Sequence, residues 1–153
     1  MKKIFALILL VVMVCTLAAC GGKKNETKAL DLPAVMSQFA LSDEMLTLEI
    51  ADLMNNYGIA AEDVKQFAAA VSTTGINCDE IVMIEATSAE AAGRVKTALD
   101  NRYQAKLVET ENYLPDEYAI IKTCSVTVNG NYVAMIVAPN AEELVKIYNG
   151  SAK

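Results

Sequence analysis

Residues 124–136 read CSVTVNGNYVAMI, and Asn129-Gly130 at their centre decides how the C-terminal half folds. An Asn-Gly pair flanked by alternating β-formers is a strong hairpin signal, since a type I′ turn needs positive φ at both central residues. With those two residues as the loop, Val128 is predicted to face Asn131, Val126 to face Val133 and Cys124 to face Met135. Thr127 opposite Tyr132 and Thr123 opposite Ile136 then share the second face. One face is apolar and the other mixed, as expected of a sheet covered on one side.

Working outward, Pro139-Asn140 ends the second strand. Asn140 with Glu143 predicts a capped last helix carrying Leu144, Val145 and Tyr148. Upstream, Tyr113-Leu114-Pro115 interrupts a long helix that Thr87-Ser88-Ala89-Glu90 opens and that runs to about Thr110. Its inner stripe is Ala91, Ala92, Val95, Ala98 and Leu99, and Gly93 suggests a close approach of helix to sheet. Glu80 to Ala86 reads as a strand, with Gln66 to Ser72 as its hairpin partner across Thr73-Thr74-Gly75. Leu32, Val35, Met36 and Phe39 recur at helical spacing, as do Ile50, Leu53, Met54 and Tyr57 before a capping Gly58. Residues 45–48 fit neither pattern.

Residues 81–90 and 133–142 echo one another, with Met83/Met135, Ile84/Ile136, Ala86/Ala138, Ala89/Ala141 and Glu90/Glu142 identical. The expected fold is therefore α+β: an N-terminal helical pair, then two ββα units. Together the units would form a four-stranded antiparallel sheet with helices on one face.

The first 31 residues have a different logic. Lys2 and Lys3 precede an apolar run from Ile4 to Leu17, and Ala18-Ala19-Cys20-Gly21 follows. This is a three-part secretory signal ending in small residues and a cysteine. Leu17 to Cys20 resembles the lipobox of bacterial lipoproteins. That likeness implies cleavage between Ala19 and Cys20 and a diacylglyceryl group on the Cys20 thiol. The rival, an uncleaved anchor, is disfavoured because Ile4 to Ala19 falls short of the roughly 20 residues a spanning helix needs. The expected organisation is a signal peptide at 1–19, a lipidated cysteine and polar tether at 20–31, and one globular domain at 32–149.

Losing residues 1–19 leaves 134 residues in which 19 acids face 11 bases, a net charge of −8. Such a chain is a poor partner for nucleic acid and is repelled by an anionic membrane surface. The membrane partner is expected to be engaged through the lipid on Cys20 and not a domain face, at the extracytoplasmic face of the cell membrane, with Lys23, Lys24 and Lys28 either resting on anionic headgroups or keeping the tether solvated.

Tyr57-Gly58-Ile59, Asp79-Glu80-Ile81, Arg102, Tyr113-Leu114-Pro115 and Gly130-Asn131-Tyr132 are similar to a family of short lipoproteins from Gram-positive anaerobes. It is catalogued as domain of unknown function four-three-five-eight. The resemblance spans roughly Leu32 to Tyr148 and implies a membrane-attached, extracytoplasmic protein. It brings no activity, cofactor or catalytic residue.

The residue inventory narrows the chemistry. There is no histidine, which removes Ser-His-Asp and Cys-His catalysis and His-ligated zinc. No Walker loop, dinucleotide fingerprint or EF-hand run is present. The pairs Glu62-Asp63, Asp79-Glu80, Asp116-Glu117 and Glu142-Glu143 lie near element boundaries and read as solvated turn or helix-start charges. Cys78 and Cys124 are open to three readings: a disulfide, two unpaired residues or a catalytic thiol. No catalytic residue, metal site or cofactor is assigned. The expected role is a non-catalytic envelope module with a protein or cell-wall partner. A small-solute receptor associated with a transporter is the alternative, and an enzyme using scattered carboxylates stands behind both.

Overall fold

The computed structural model describes residues 29–151, so the signal, Cys20 and the tether up to Lys28 lie outside the described residues. The elements in chain order are α1 (Leu32–Met36), β1 (Met45–Thr47), α2 (Ile50–Tyr57), a 3₁₀ turn (Ala61–Asp63), β2 (Val64–Ser72) and β3 (Glu80–Ala86). Then come α3 (Ala89–Thr110), α4 (Pro115–Ile121), β4 (Ser125–Asn129), β5 (Tyr132–Val137) and α5 (Ala141–Ser151). The fold is α+β, with one antiparallel sheet in the order β1-β2-β3-β5-β4.

Two of the predicted helix signals act in the molecule, while at the start of α5 the Glu143 and Leu144 amides meet the Asn140 carbonyl and not its side chain. Ser88 caps α3 by accepting the Ala91 amide. Gly58 takes φ 70° at the end of α2, where the amides of Gly58 and Ile59 reach the Met54 and Leu53 carbonyls. Only Leu32–Met36 of the first apolar stripe is helical, and Phe39 follows in a turn yet is still buried.

Two expectations about the sheet are corrected. It has five strands and not four, because residues 45–47 form a short edge strand on β2. It is also covered on both faces, as the complete burial of β3 and β5 requires. Glu80, Val82 and Ile84 pair with Val137, Met135 and Val133 on the face that α3 covers, where Glu80 meets Arg102 and Lys106. Ile81, Met83 and Glu85 pair with Ile136, Ala134 and Tyr132 on the other, which receives the N-terminal segment and α5.

That pairing also decides the meaning of the internal echo. Paired residues of β3 and β5 share a face, and their numbers add to an odd total, as for Glu80 and Val137. The echo is offset by an even number, so echoed residues point to opposite faces. Met83 lies on the α5 face and Met135 on the α3 face. Both stretches are a strand entering a helix, but their helices leave toward opposite sides of the sheet. They are not two copies of one ββα unit on a shared face.

The β4–β5 hairpin forms with its turn one residue later than predicted. Asn129 pairs with Tyr132, so Gly130-Asn131 is the loop. Gly130 has φ 59°, and no non-glycine residue among those described has positive φ. Glycine first and a negative φ second matches type II′ and not type I′. A β-branched residue is strained at that first position, so Gly130→Val should cost more than about 1 kcal/mol. A melting midpoint lowered by about 3 °C or more would register it, and an unchanged midpoint would count against the turn.

Gly93 does not mark a close approach: it is exposed, and a methyl group there would meet nothing within 4 Å.

Candidate functional site

Asp63 and Glu80, which the sequence placed in solvent, are buried, and so is Glu85. Glu80, the first residue of β3, is fully buried. Arg102 grips it with Nε at 3.0 Å from Oε1 and Nη2 at 2.8 Å from Oε2. Lys106 Nζ, itself buried, donates to Oε2 at 2.8 Å. The Tyr57 hydroxyl from α2 lies beside the same carboxylate, and burial with the Glu80 charge pushes that phenol far above its ordinary value. Burial alone would raise the Glu80 carboxyl. Hydrogen bonding from Arg102 and the Lys106 charge outweigh it, and the net shift is downward.

Local structure explains the convergence. Arg102 and Lys106 are one turn apart on α3, continuing the stripe that Val95 and Leu99 bury. That stripe carries them onto the even-numbered face of β3, where Glu80 is the nearest acid. Tyr57, Glu80 and Arg102 came from three separate motifs of the family resemblance, and the fold brings them into one cluster.

On the opposite face Glu85 accepts from Lys65 Nζ at 2.6 Å and Gln66 Nε2 at 2.5 Å. Its carboxyl is resisted by burial yet held low by Gln66 and Lys65. Gln66 also binds the Leu30 carbonyl and the Leu32 amide, while Tyr132 Oη accepts the Leu30 amide at 3.0 Å. Asp63 is the third buried acid, held low by the Arg94 guanidinium, whose side chain is largely exposed. Asp116-Glu117 and Glu142-Glu143 do occupy helix first turns.

Each of these buried acids is thus matched to a basic side chain, and the arrangement locks strands to helices. A basic residue recurring on an apolar helical stripe, as Lys106 does, was the signal that could have exposed the Glu80 cluster in the sequence. Cys78 and Cys124 are free thiols. Cys124 Sγ lies 3.4 Å from the Ile120 carbonyl, and the Cys78 amide donates to Glu117. Cys20 and Ala19 lie outside the described residues. No cluster of candidate metal ligands occurs among the described residues.

A large opening lies at the sheet edge, away from these clusters. It is a cleft of about 630 Å³ beside β2. Pro33, Met36 and Phe39 line one wall, Leu48 and Glu49 the other, and Phe67 belongs to its floor. Of the mixed hairpin face, Tyr132 and Ile136 are buried, Tyr132 beneath the N-terminal segment, while Thr127 is half-buried and Thr123 exposed.

A family model described as Domain of unknown function (DUF4358) matches residues 38–138. The chain belongs to this family. The matched span runs from just before β1 to the end of β5, so the DUF4358 region contains Tyr57, Glu80, Arg102 and Lys106 together. It includes only part of the cleft, whose α1 wall precedes it. No curated protein and no solved structure matches the chain. No helix among the described residues is long and apolar enough to cross a membrane.

Proposed function

We propose that this DUF4358 protein is a lipid-anchored module on the extracytoplasmic face of the cell membrane, with a non-catalytic binding or assembly role in the envelope. The reading rests most on how the ionisable groups are used. Asp63, Glu80 and Glu85 are committed to basic partners. The sheet-edge opening is lined chiefly by apolar side chains, with Glu49 its one charged residue. A general acid or base would need an ionisable group free to meet a substrate. The anchoring half of the reading comes from Leu17 to Cys20 and the apolar run before it.

Cys20→Ala should abolish acyl labelling and either release the protein or retain its uncleaved precursor. Labelling that persists in the variant overturns the anchor. Crosslinking in intact membranes followed by capture of the full-length protein addresses the role, and one recurrent envelope partner is the expected result. Hydrolysis by the purified protein that acid-to-amide changes abolish would overturn the non-catalytic reading. The cleft volume falls in the range of small-molecule sites, which favours a solute-binding lipoprotein as the second reading. A copurified small molecule would select it.

A further inference from the structure

β2 is longer than the strand that covers it. β1 pairs only with residues 70–72 of β2. Its line ends where the Leu48 amide donates to the Ala69 carbonyl at 2.9 Å, and the chain then turns into α2. β2 itself continues back to Val64.

The ladder fixes which backbone groups remain. The Ser72 amide donates to the Asp79 carbonyl, so Ser72, Ala70, Ala68 and Gln66 direct their N–H and C=O groups toward β3. Alternate residues direct theirs to the outer edge. Thr73 donating to the Glu44 carbonyl and Ala69 accepting from Leu48 obey this alternation. The next outward residue past Leu48 is Phe67, whose N–H and C=O have no strand beside them. A bulge between Val64 and Gln66 then ends the open stretch near Lys65, a common way to limit a free edge.

The 630 Å³ cleft lies at this open stretch. Its apolar wall can take the side chains of an added strand, every second one of which points to that side. The electrostatics select among peptides. Residues 29–64 contain seven acids (Asp31, Asp43, Glu44, Glu49, Asp52, Glu62 and Asp63) and no Lys or Arg. Both cleft walls come from this stretch. Asp63 is paired with Arg94, and Glu49, which lines the cleft, is exposed.

We propose that the β2 edge receives a short extended segment of a partner protein, apolar at alternate positions and basic at the others, added as a strand in line with β1. This deepens the binding-module reading and rests on it. Backbone pairing at Phe67 supplies part of the affinity, the cleft chooses small apolar side chains, and the acidic surround chooses lysine or arginine.

The test uses the full-length protein in detergent and four fluorescein-labelled hexapeptides. The first alternates valine and lysine, the second replaces lysine by glutamate, and the third and fourth are the lysine peptide N-methylated on alternate amides, one in each phase. The lysine peptide should bind saturably and shift backbone resonances of residues 66–69. The glutamate peptide and one of the methylated phases should bind at least about tenfold more weakly. Glu49→Gln, which removes the charge that lines the cleft and keeps a side-chain acceptor at the start of α2, should narrow the lysine preference. A protein that captures an envelope partner yet ignores these peptides keeps the module and loses the edge site. Equal binding of the glutamate peptide, equal binding of both methylated phases, or no saturable binding of the lysine peptide below about 1 mM overturns the proposal.

Discussion

Glu80→Gln will lower the unfolding free energy by about 3–5 kcal/mol, the usual cost of removing one partner of a buried ion pair. The amide keeps the shape of the side chain but not its charge, so Lys106 loses its counter-ion and Arg102 keeps only Glu109, at 3.7 Å. Arg102 is partly exposed and recovers some hydration, whereas the Lys106 side chain is only 6% exposed and cannot. Urea titration of both proteins measures the difference. Lys106→Met should partly rescue the variant, since an apolar side chain of similar length needs no anion.

The sign of the pH dependence follows from the lowered Glu80 carboxyl. A depressed folded-state pKa contributes stability that is complete above the unfolded value of about 4.3 and disappears as pH falls through the folded value. The stability curves of the wild type and the Glu80→Gln variant should therefore converge in acid. A loss under about 1 kcal/mol at neutral pH, with parallel curves, would show that the cluster is solvated and not structural.

Leu99→Ala should cost about 2–5 kcal/mol, as truncation at a closed core site does. The buried stripe of α3 is otherwise mostly small or polar: Ala91, Ala92, Val95, Lys106 and Thr110. Leu99 is its one large aliphatic side chain and is completely buried. The alanines already hold the helix close to the sheet, so little further collapse can fill the space. Thermal and urea unfolding should agree on the loss, and a midpoint within a degree of the wild type would refute this account of the interface.

Much of the fold was legible because it depends on local chemistry. Gly58 and Ser88 punctuate helices through φ and a hydroxyl acceptor and act at their own positions, whereas Pro115, read as a breaker, opens α4, a helix the sequence reading did not foresee. The hairpin shows how far such signals reach. Moving its turn by one residue changes every cross-strand partner by two, which preserves which side chains share a face. The apolar set Val126, Val128, Val133 and Met135 was therefore right while each partner was wrong.

What was not legible is tertiary. Met45–Thr47 has too few residues for a period to show and is a strand only because β2 has an edge to offer. The second layer of helices and the Glu80 cluster depend on elements far apart in sequence. An acid opening an apolar strand looks the same whether water or an arginine lies ahead of it. Cys20 stands apart, since its reading came wholly from the order of residues around it.

The N-terminal entry has a mechanical consequence. Leu30 and Leu32 are fastened by three hydrogen bonds, one to Tyr132 on β5 and two to Gln66 on β2. A pull on the chain ahead of Ala29 is delivered to two strands of the sheet before α1 bears it.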